Sequence, residues 1–343
     1  MTRVDRCYQG DCRDVMRYLL AEEVRVRCIV TSPPYFGLRD YGHEAQLGLE
    51  ETPEHYVASM VEVFRAARDL LTDDGTLWLN IGDTYAGQGG RSVMSGKEFQ
   101  SRARGRQEIC RSSRVKPTGE IKSKDLIGIP WMLAFALRAD GWYLRQEIIW
   151  HKSNPMPESV TDRCTKAHES IFLLTKSDRY FFDAKAIAQP LAKASQKRLA
   201  QNVAQQTGSD RVPGKSNGPM KAVGPRFGGD KYGDDSRMES RTKSGNGWDG
   251  TAGLANRRSV WTIATTPFKG AHFAVMPEEL VEPCILAGSR AGDIVFDPFM
   301  GSGTVAAVAQ RLGRHWLGAE LNPKYIALQA ERTRQTGLML EVA

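Results

Sequence analysis

Thr31-Ser32-Pro33-Pro34-Tyr35 follows directly on the apolar run Val26-Arg27-Cys28-Ile29-Val30. A buried strand that stops at two prolines leaves a stiff, non-helical corner. Here a hydroxyl stands just before the corner and an aromatic ring just after it. Such a corner can hold a flat polar ring, with acceptors at the ring's edge and an aromatic on its face. The same string also makes an ordinary Pro-Pro turn at a strand end, so other residues must decide between the two.

A second candidate lies far downstream. Asp297-Pro298-Phe299-Met300-Gly301-Ser302-Gly303-Thr304 sits between an apolar run and a helical pattern. Glycines at a strand-to-helix turn let the backbone approach a ligand closely, and the helix N-terminus offers free N–H groups to a phosphate or a carboxylate. Neither the dinucleotide Gly-x-Gly-x-x-Gly pattern nor the lysine-bearing phosphate loop is met. Glu320 ends the next apolar run, 23 residues after Asp297, where an acid can accept both hydroxyls of a ribose. Together these residues suit a nucleoside with a carboxylate-bearing tail and no obligatory phosphate, a description that S-adenosylmethionine fits.

The elements that must position these groups read as alternating α/β. Tyr8–Asp11 reads as a strand end, Val15–Ala21 as a helix and Arg25–Thr31 as a buried strand. Pro53–Leu71 carries apolar residues at helical spacing, Asp73-Asp74-Gly75 reads as a turn, and Thr76–Ile81 as a strand. A helix through Ile127–Ala139, strands at Trp142–Trp150 and Glu169–Thr175 and an extended piece, Tyr180–Asp183, follow. The last third gives a helix at Pro277–Ala287, a strand at Asp293–Asp297, a helix at Thr304–Leu312, a strand at Trp316–Glu320 and a closing helix at Pro323–Gln335. Two stretches, 86–124 and roughly 190–257, lack a core pattern and read as long loops of functional or linker character.

The 343 residues suffice for one large α/β domain with an insertion, or for two domains, and a hydrophobic fraction of 41% supports a sizeable core. Nothing at the N-terminus reads as a signal peptide and no run approaches the roughly 18 apolar residues of a spanning helix, so an intracellular, cytoplasmic protein is expected. The six cysteines, at 7, 12, 28, 110, 164 and 284, include no C-x-x-C pair, and the six histidines include no metal-binding pair, so no metal site is expected. The net charge of +7 is clustered. Residues 91–124 hold ten Lys/Arg against three Glu, and residues 193–243 hold eleven against five acids, so the remainder is slightly acidic. Clustered positive charge interleaved with Phe227, Tyr232 and Trp248 favours a nucleic-acid partner over a solvated linker.

In this order, the motifs resemble those of DNA methyltransferases acting on an exocyclic amino group. Ser32-Pro33-Pro34-Tyr35 matches the catalytic motif and Asp297–Thr304 the cofactor motif. Gly141–Lys152, Arg163–Ile171, His272–Pro277 and Trp316–Asn322 resemble further family segments, and the likeness covers most of 5–85, 125–185 and 258–335. Catalytic motif before cofactor motif resembles the β group, and the serine resembles the Ser-Pro-Pro-Tyr subgroup.

The resemblance implies an S-adenosylmethionine-dependent methyltransferase (Rossmann-like) fold: a mixed, mostly parallel sheet with helices on both faces, plus an inserted basic target-recognition region. It divides the chain into a catalytic half, 1–185, with a basic loop at 86–124; an inserted DNA-binding region, 186–260; and a cofactor half, 261–343. It assigns catalysis to Ser32, Pro33, Pro34 and Tyr35. Cofactor contacts fall to Thr31, Asp297, Pro298, Phe299, Gly301, Ser302, Gly303 and Thr304, with Glu320 on the ribose and Asn322 beside it. Asp11 and Cys12 resemble the segment that closes on the adenine, although Asp11 also reads as a plain turn residue. DNA contacts are expected from Arg102, Arg104, Arg106, Arg111, Arg114, Lys152, Lys215, Lys221 and Arg226. The implied partner is double-stranded DNA, in a bacterial, archaeal or phage-encoded setting; a cognate restriction endonuclease stays open, as do monomer and dimer.

An exocyclic amino nitrogen is a poor nucleophile because its lone pair is delocalised into the ring. Acceptors that hold its hydrogens turn the lone pair toward an electrophile, and Ser32 Oγ with the Pro33 carbonyl suits that task. Tyr35 can stack on a base flipped out of the duplex. The serine favours cytosine N4 as the target, with adenine N6 the alternative. Methylation of RNA or of a protein glutamine, a catalytically inactive DNA-binding scaffold, and a nucleotide-dependent oxidoreductase are the competing classes. The motif order, the intact motif residues and the incomplete glycine fingerprint argue against them in turn.

Overall fold

The computed structural model describes residues 4–38, 46–87, 119–192, 254–265 and 275–334, together with the backbone of 208–209 and 212–213. The chain divides into two compact units, one of residues 1–183 and 258–343 and the other of 184–257.

The larger unit is built in the order β1 (Arg6–Gln9), α1 (Cys12–Ala21), β2 (Val26–Thr31), α2 (Pro53–Leu70), β3 (Leu71–Ile81), α3 (Ile129–Ala139), β4 (Tyr143–His151) and β5 (His168–Thr175). The second unit contributes the short strands β6 (Gln189–Pro190), β7 (Gly208–Ser209), β8 (Val212–Pro213) and β9 (Leu254–Ala255); β6 pairs with β9, and β7 with β8. The larger unit then resumes with β10 (Val260–Thr262), α4 (Glu278–Gly288), β11 (Ile294–Asp297), α5 (Thr304–Arg311), β12 (His315–Glu320) and α6 (Pro323–Arg332).

Eight strands form one sheet in the order β1-β12-β11-β2-β3-β5-β4-β10. All neighbouring pairs are parallel except those of β5, which runs against β3 and β4. The predicted mixed, mostly parallel sheet is therefore present. Helices α1–α3 bury Met16, Leu19, Tyr56, Met60, Phe64 and Leu133 in a core with Ile29, Leu77, Leu79 and Phe172. Each large apolar side chain so buried contributes roughly 1.5–3 kcal/mol. On the opposite face α4 packs so closely that a Cβ on Gly288 would lie 2.6 Å from Thr76 Oγ1 and 2.7 Å from Cys28 Sγ. Pro283 and Cys284 are buried within α4.

Capping explains where several helices begin. Thr52 accepts from the His55 N–H at 3.2 Å ahead of Pro53, and Asp11 accepts from the Arg13 N–H at 2.8 Å, which starts α1 at Cys12 rather than Val15. Helix α3 starts at Ile129, not Ile127, because Asp83 Oδ1 accepts from the N–H groups of Gly128 and Ile129, both at 3.0 Å.

One expected turn is corrected. Asp73-Asp74-Gly75 lies inside β3, whose pairing with β2 jumps from Val26↔Leu71 to Cys28↔Thr76. The extra residues are absorbed as an irregularity in the strand. They are held there by the Arg27–Asp74 ion pair and by the Phe181 N–H donating to the Asp74 carbonyl at 2.9 Å.

The topology fixes the place of the site. From β2 the chain proceeds outward to β3, and from β11 it proceeds the other way to β12, beyond which the N-terminal strand β1 forms the edge of the sheet. The adjacent ends of β2 and β11 are therefore a topological switch point, where loops diverge and open a crevice at the carboxyl edge of the sheet. Ser-Pro-Pro-Tyr follows β2 and the glycine loop follows β11.

Candidate active site

A cleft of about 270 Å³ opens at this switch point. Its walls carry Ser32, Pro33, Pro34 and Tyr35 from one loop; Asp297, Pro298, Phe299, Gly301, Ser302 and Thr304 from the other; and Glu320, Asn322, Asp11 and Cys12. Residues from opposite ends of the sequence thus share one cavity. Arg102, Arg104, Arg106, Arg111, Arg114, Lys215, Lys221 and Arg226 lie outside the described residues.

Two predicted cofactor residues support the cleft without lining it. Thr31 is fully buried, and its hydroxyl donates to Asp297 Oδ1 at 2.6 Å, which ties the end of β2 to the end of β11. Gly303 precedes α5 with φ +85°, and a Cβ there would lie 3.0 Å from Gln329 Cγ. It provides the left-handed turn and the close approach of α6 rather than a cleft surface. Among the described residues, no side chain caps the N-terminus of α5.

The glycine loop is clamped from α6. Gln329 Nε2 donates to the Gly301 carbonyl at 2.7 Å, and the Arg332 guanidinium donates to Ser302 Oγ at 2.9 Å and Thr304 Oγ1 at 2.8 Å. Burial lowers the pKa of Arg332, while Glu278 opposes that shift. The Met300 side chain covers Gly318 of β12 so tightly that a Cβ there would collide with the Met300 methyl.

Three acids border this half of the cleft. Asp297 also accepts from the Phe299 N–H at 2.9 Å, and burial pushes its carboxyl up to about 7. Glu320 accepts from the N–H groups of Gly301 at 2.8 Å and Asn322 at 2.7 Å, and burial raises its pKa above the ordinary carboxylate value. Asp11 is held low by its hydrogen-bonded pairing with Arg13 at 2.7 Å. Asn322 caps α6 by accepting from the Lys324 N–H at 3.0 Å. Burial pushes the neighbouring Cys12 thiol up to about 12, which leaves it an inert part of the wall. One buried and two half-buried acids beside a helix N-terminus suit a ligand bearing a cationic amine, a carboxylate and a diol, so the residues present fit S-adenosylmethionine.

The other half of the cleft is a polar network around Tyr35. Ser32 Oγ donates to Tyr35 Oη at 3.2 Å, and Tyr35 Oη donates to Glu169 Oε2 at 2.7 Å and faces Asn80 Oδ1 at 3.2 Å. Asn80 Nδ2 donates to the same Glu169 oxygen at 3.2 Å and to the Ser170 carbonyl at 3.3 Å. Lys152 pairs with the other oxygen of Glu169, and its ammonium lies 4.6 Å from the centre of the Trp150 ring. Lys152, expected on the DNA surface, is thus placed in the cleft wall. Pro34 is fixed from behind by the Tyr56 hydroxyl, which donates to its carbonyl at 2.8 Å. Tyr35 is strongly desolvated, which raises its pKa well above the ordinary phenol value.

Sequence reasoning missed Asn80, Glu169, Gln329 and Arg332 as members or supports of this site. Glu169 lay inside a segment singled out for resemblance, but nothing local marks it as a partner of Tyr35, 134 positions away.

A switch-point crevice with a glycine loop on one lip and a Pro-Pro corner on the other defines the S-adenosylmethionine-dependent methyltransferase class of α/β fold. The chain belongs to the DNA methylase family of N6/N4 methyltransferases, whose sequence profile matches residues 26–332. It is 42% identical over 327 residues to the Type II methyltransferase M.Cfr9I of Citrobacter freundii, covering 95% of this chain and 86% of that one. Identity to the Type II methyltransferase M.SmaI of Serratia marcescens is 41%, over 94% and 88% of the two chains. The fold is similar to that of PvuII DNA methyltransferase (cytosine-N4-specific), with a TM-score of 0.57, 15% identity and coverage of 98% and 91%. It is also similar to that of TTHA0409 from Thermus thermophilus, solved in complex with S-adenosyl-L-methionine, with a TM-score of 0.51, 20% identity and coverage of 96% and 95%.

Proposed function

We propose that this DNA methylase transfers a methyl group from S-adenosylmethionine to the exocyclic N4 amino group of a cytosine flipped out of double-stranded DNA. The observation that carries the reading is the single cleft shared by Ser32–Tyr35 and the glycine loop. When bound, S-adenosylmethionine supplies an electrophilic methyl group on a positively charged sulfur. Its binding residues are Asp297 and the open N-terminus of α5, with Glu320 for the ribose diol.

The remaining chemistry is positioning. Ser32 Oγ and the Pro33 carbonyl accept the two amino hydrogens and turn the nitrogen lone pair toward the glycine-loop side of the cleft. Tyr35 supplies a face for the base. Direct in-line displacement needs no covalent nucleophile, and alignment of the reacting atoms supplies most of the acceleration. Serine at the first motif position supports cytosine over adenine, and with it membership of the Ser-Pro-Pro-Tyr subgroup with β-group motif order. The Type II designation of its relatives supports a role in DNA modification.

Residues 186–260 are proposed as the target-recognition region, and 86–124 as a loop that contacts phosphates near the flipped base. Their basic composition supports both assignments. The test is transfer of labelled methyl from S-adenosylmethionine to duplex DNA, RNA and protein offered separately. Label in DNA alone, lost in Ser32→Ala, is expected. Label in RNA or protein alone refutes the reading. Deleting 193–243 should abolish site selection while cofactor binding persists; retained site selection removes the target-recognition assignment.

A further inference from the structure

We infer that Glu169 is a positioning residue that fixes the direction of the hydrogen-bond chain Ser32–Tyr35–Glu169, so that Ser32 meets the substrate amino group as an acceptor. This rests on the proposed amino-group methylation but adds a device that the reading does not require.

A serine hydroxyl is both donor and acceptor, and its hydrogen rotates to whichever partner is available. If that hydrogen pointed into the cleft, it would oppose the amino hydrogens that Ser32 must accept. The network removes this option by a chain of one-way constraints. The Glu169 carboxylate, paired with Lys152 Nζ, has no hydrogen to give, so the 2.7 Å contact forces the Tyr35 hydroxyl to be the donor. Its only hydrogen so committed, Tyr35 Oη can only accept from Ser32, across 3.2 Å. The Ser32 hydrogen is then occupied behind the cleft wall, and its lone pairs face the cavity.

Asn80 reinforces the same polarity. Its amide nitrogen is held by Glu169 Oε2 and the Ser170 carbonyl, so its carbonyl oxygen, a second acceptor, faces Tyr35. Asn80 is buried, and the ion pair is largely withdrawn from water, with side chains 20% and 15% exposed. In such surroundings a hydrogen bond is electrostatically stronger than in water, and the arrangement does not reorganise at each turnover. Charged neighbours among the described residues include Lys166, which interacts electrostatically with Glu169, Asp83 and Glu158, and whose Nζ donates to the Asp83 carbonyl at 3.4 Å.

Two substitutions separate this device from simple stacking and simple structure. Tyr35→Phe keeps the ring and removes only the hydroxyl. Glu169→Gln keeps the shape but offers an N–H that can donate to Tyr35 and reverse the chain. Steady-state kinetics on duplex DNA with full-length protein should show kcat reduced about 100-fold in each, the scale of losing one preorganised polar group. KM for DNA and for S-adenosylmethionine should stay within about twofold. The double variant should lose little more than the worse single one, because both changes break the same chain. Wild-type kcat in Tyr35→Phe overturns the inference, as do losses that multiply in the double variant. Because Glu169→Gln could fail to fold once Lys152 loses its partner, Tyr35→Phe alone keeps the test decisive. If the wild-type protein transfers no methyl to DNA, the failure belongs to the proposed function and not to the relay.

Discussion

Alanine at position 82 would place its Cβ 2.6 Å from Tyr35 Cε2 and 2.9 Å from Cδ2. The Gly82 backbone lies outside the left-handed region, so the conflict is with the ring alone. Ordinary contact begins near 3.4 Å, so the ring must retreat by roughly 0.8 Å. The Ser32–Tyr35 bond, already 3.2 Å long, would then stretch toward about 4 Å, beyond hydrogen-bonding reach. A misplacement of about 1 Å in a reacting constellation costs on the order of 100-fold in rate, and overpacking of this kind costs about 1–3 kcal/mol of stability. Gly82→Ala is therefore expected to lose about two decades in kcat while its affinity for S-adenosylmethionine holds, since the glycine loop stands on β11 and not on β3. Steady-state kinetics, cofactor titration and thermal melting on one preparation read the three quantities. A folded variant with wild-type kcat would show that the seat of the Tyr35 ring does not govern the chemistry.

Three further outcomes follow from the cofactor half. A carboxyl raised to about 7 in the folded state loses its contribution to stability as pH climbs from the ordinary carboxylate range toward 7. A cationic ligand prefers the ionised Asp297, so S-adenosylmethionine affinity should rise with pH up to about 7 and level off above it. Calorimetric titration from about pH 5.5 to 8.5 checks this; a flat wild-type profile contradicts it, and Asp297→Asn should flatten it. Thr31→Val removes the 2.6 Å bond to Asp297. It should cost about 1–3 kcal/mol in a denaturation curve and move the affinity plateau to higher pH, because the lost bond favoured the carboxylate. Arg332→Met frees the hydroxyls of Ser302 and Thr304 and should weaken S-adenosylmethionine binding about tenfold, read by fluorescence or calorimetric titration; unchanged affinity would show that the clamp does not shape the loop.

The alternation of strands and helices was legible because it rests on local periodicity. Tyr56, Met60, Phe64 and Ala67 mark the buried stripe of α2 without reference to anything else. The two lips of the cleft were legible for the same reason, since a Pro-Pro corner and a glycine loop are local backbone devices. What joins them was not. The Thr31–Asp297 bond spans 266 positions and the Tyr35–Glu169 bond 134, and neither partner carries a local mark. Asp83 is similar: it caps a helix 45 positions on and so moves its start past the point where hydrophobic spacing begins. Asp73-Asp74-Gly75 has turn composition, yet strand pairing on both sides and the Arg27 ion pair carry it through β3. Lys152 is expected among the DNA contacts, and the carboxylate it pairs with, the partly buried Glu169, carries no local mark of that pairing.

The central claim is that Ser32, Pro33 and the glycine loop act as one site on a cytosine amino group. Nucleoside mass spectrometry of duplex DNA incubated with the protein and isotope-labelled S-adenosylmethionine tests it most directly. The account predicts labelled N4-methylcytosine, absent when Ser32 is alanine. Labelled N6-methyladenine alone, or labelled DNA that persists in the Ser32→Ala variant, would contradict it.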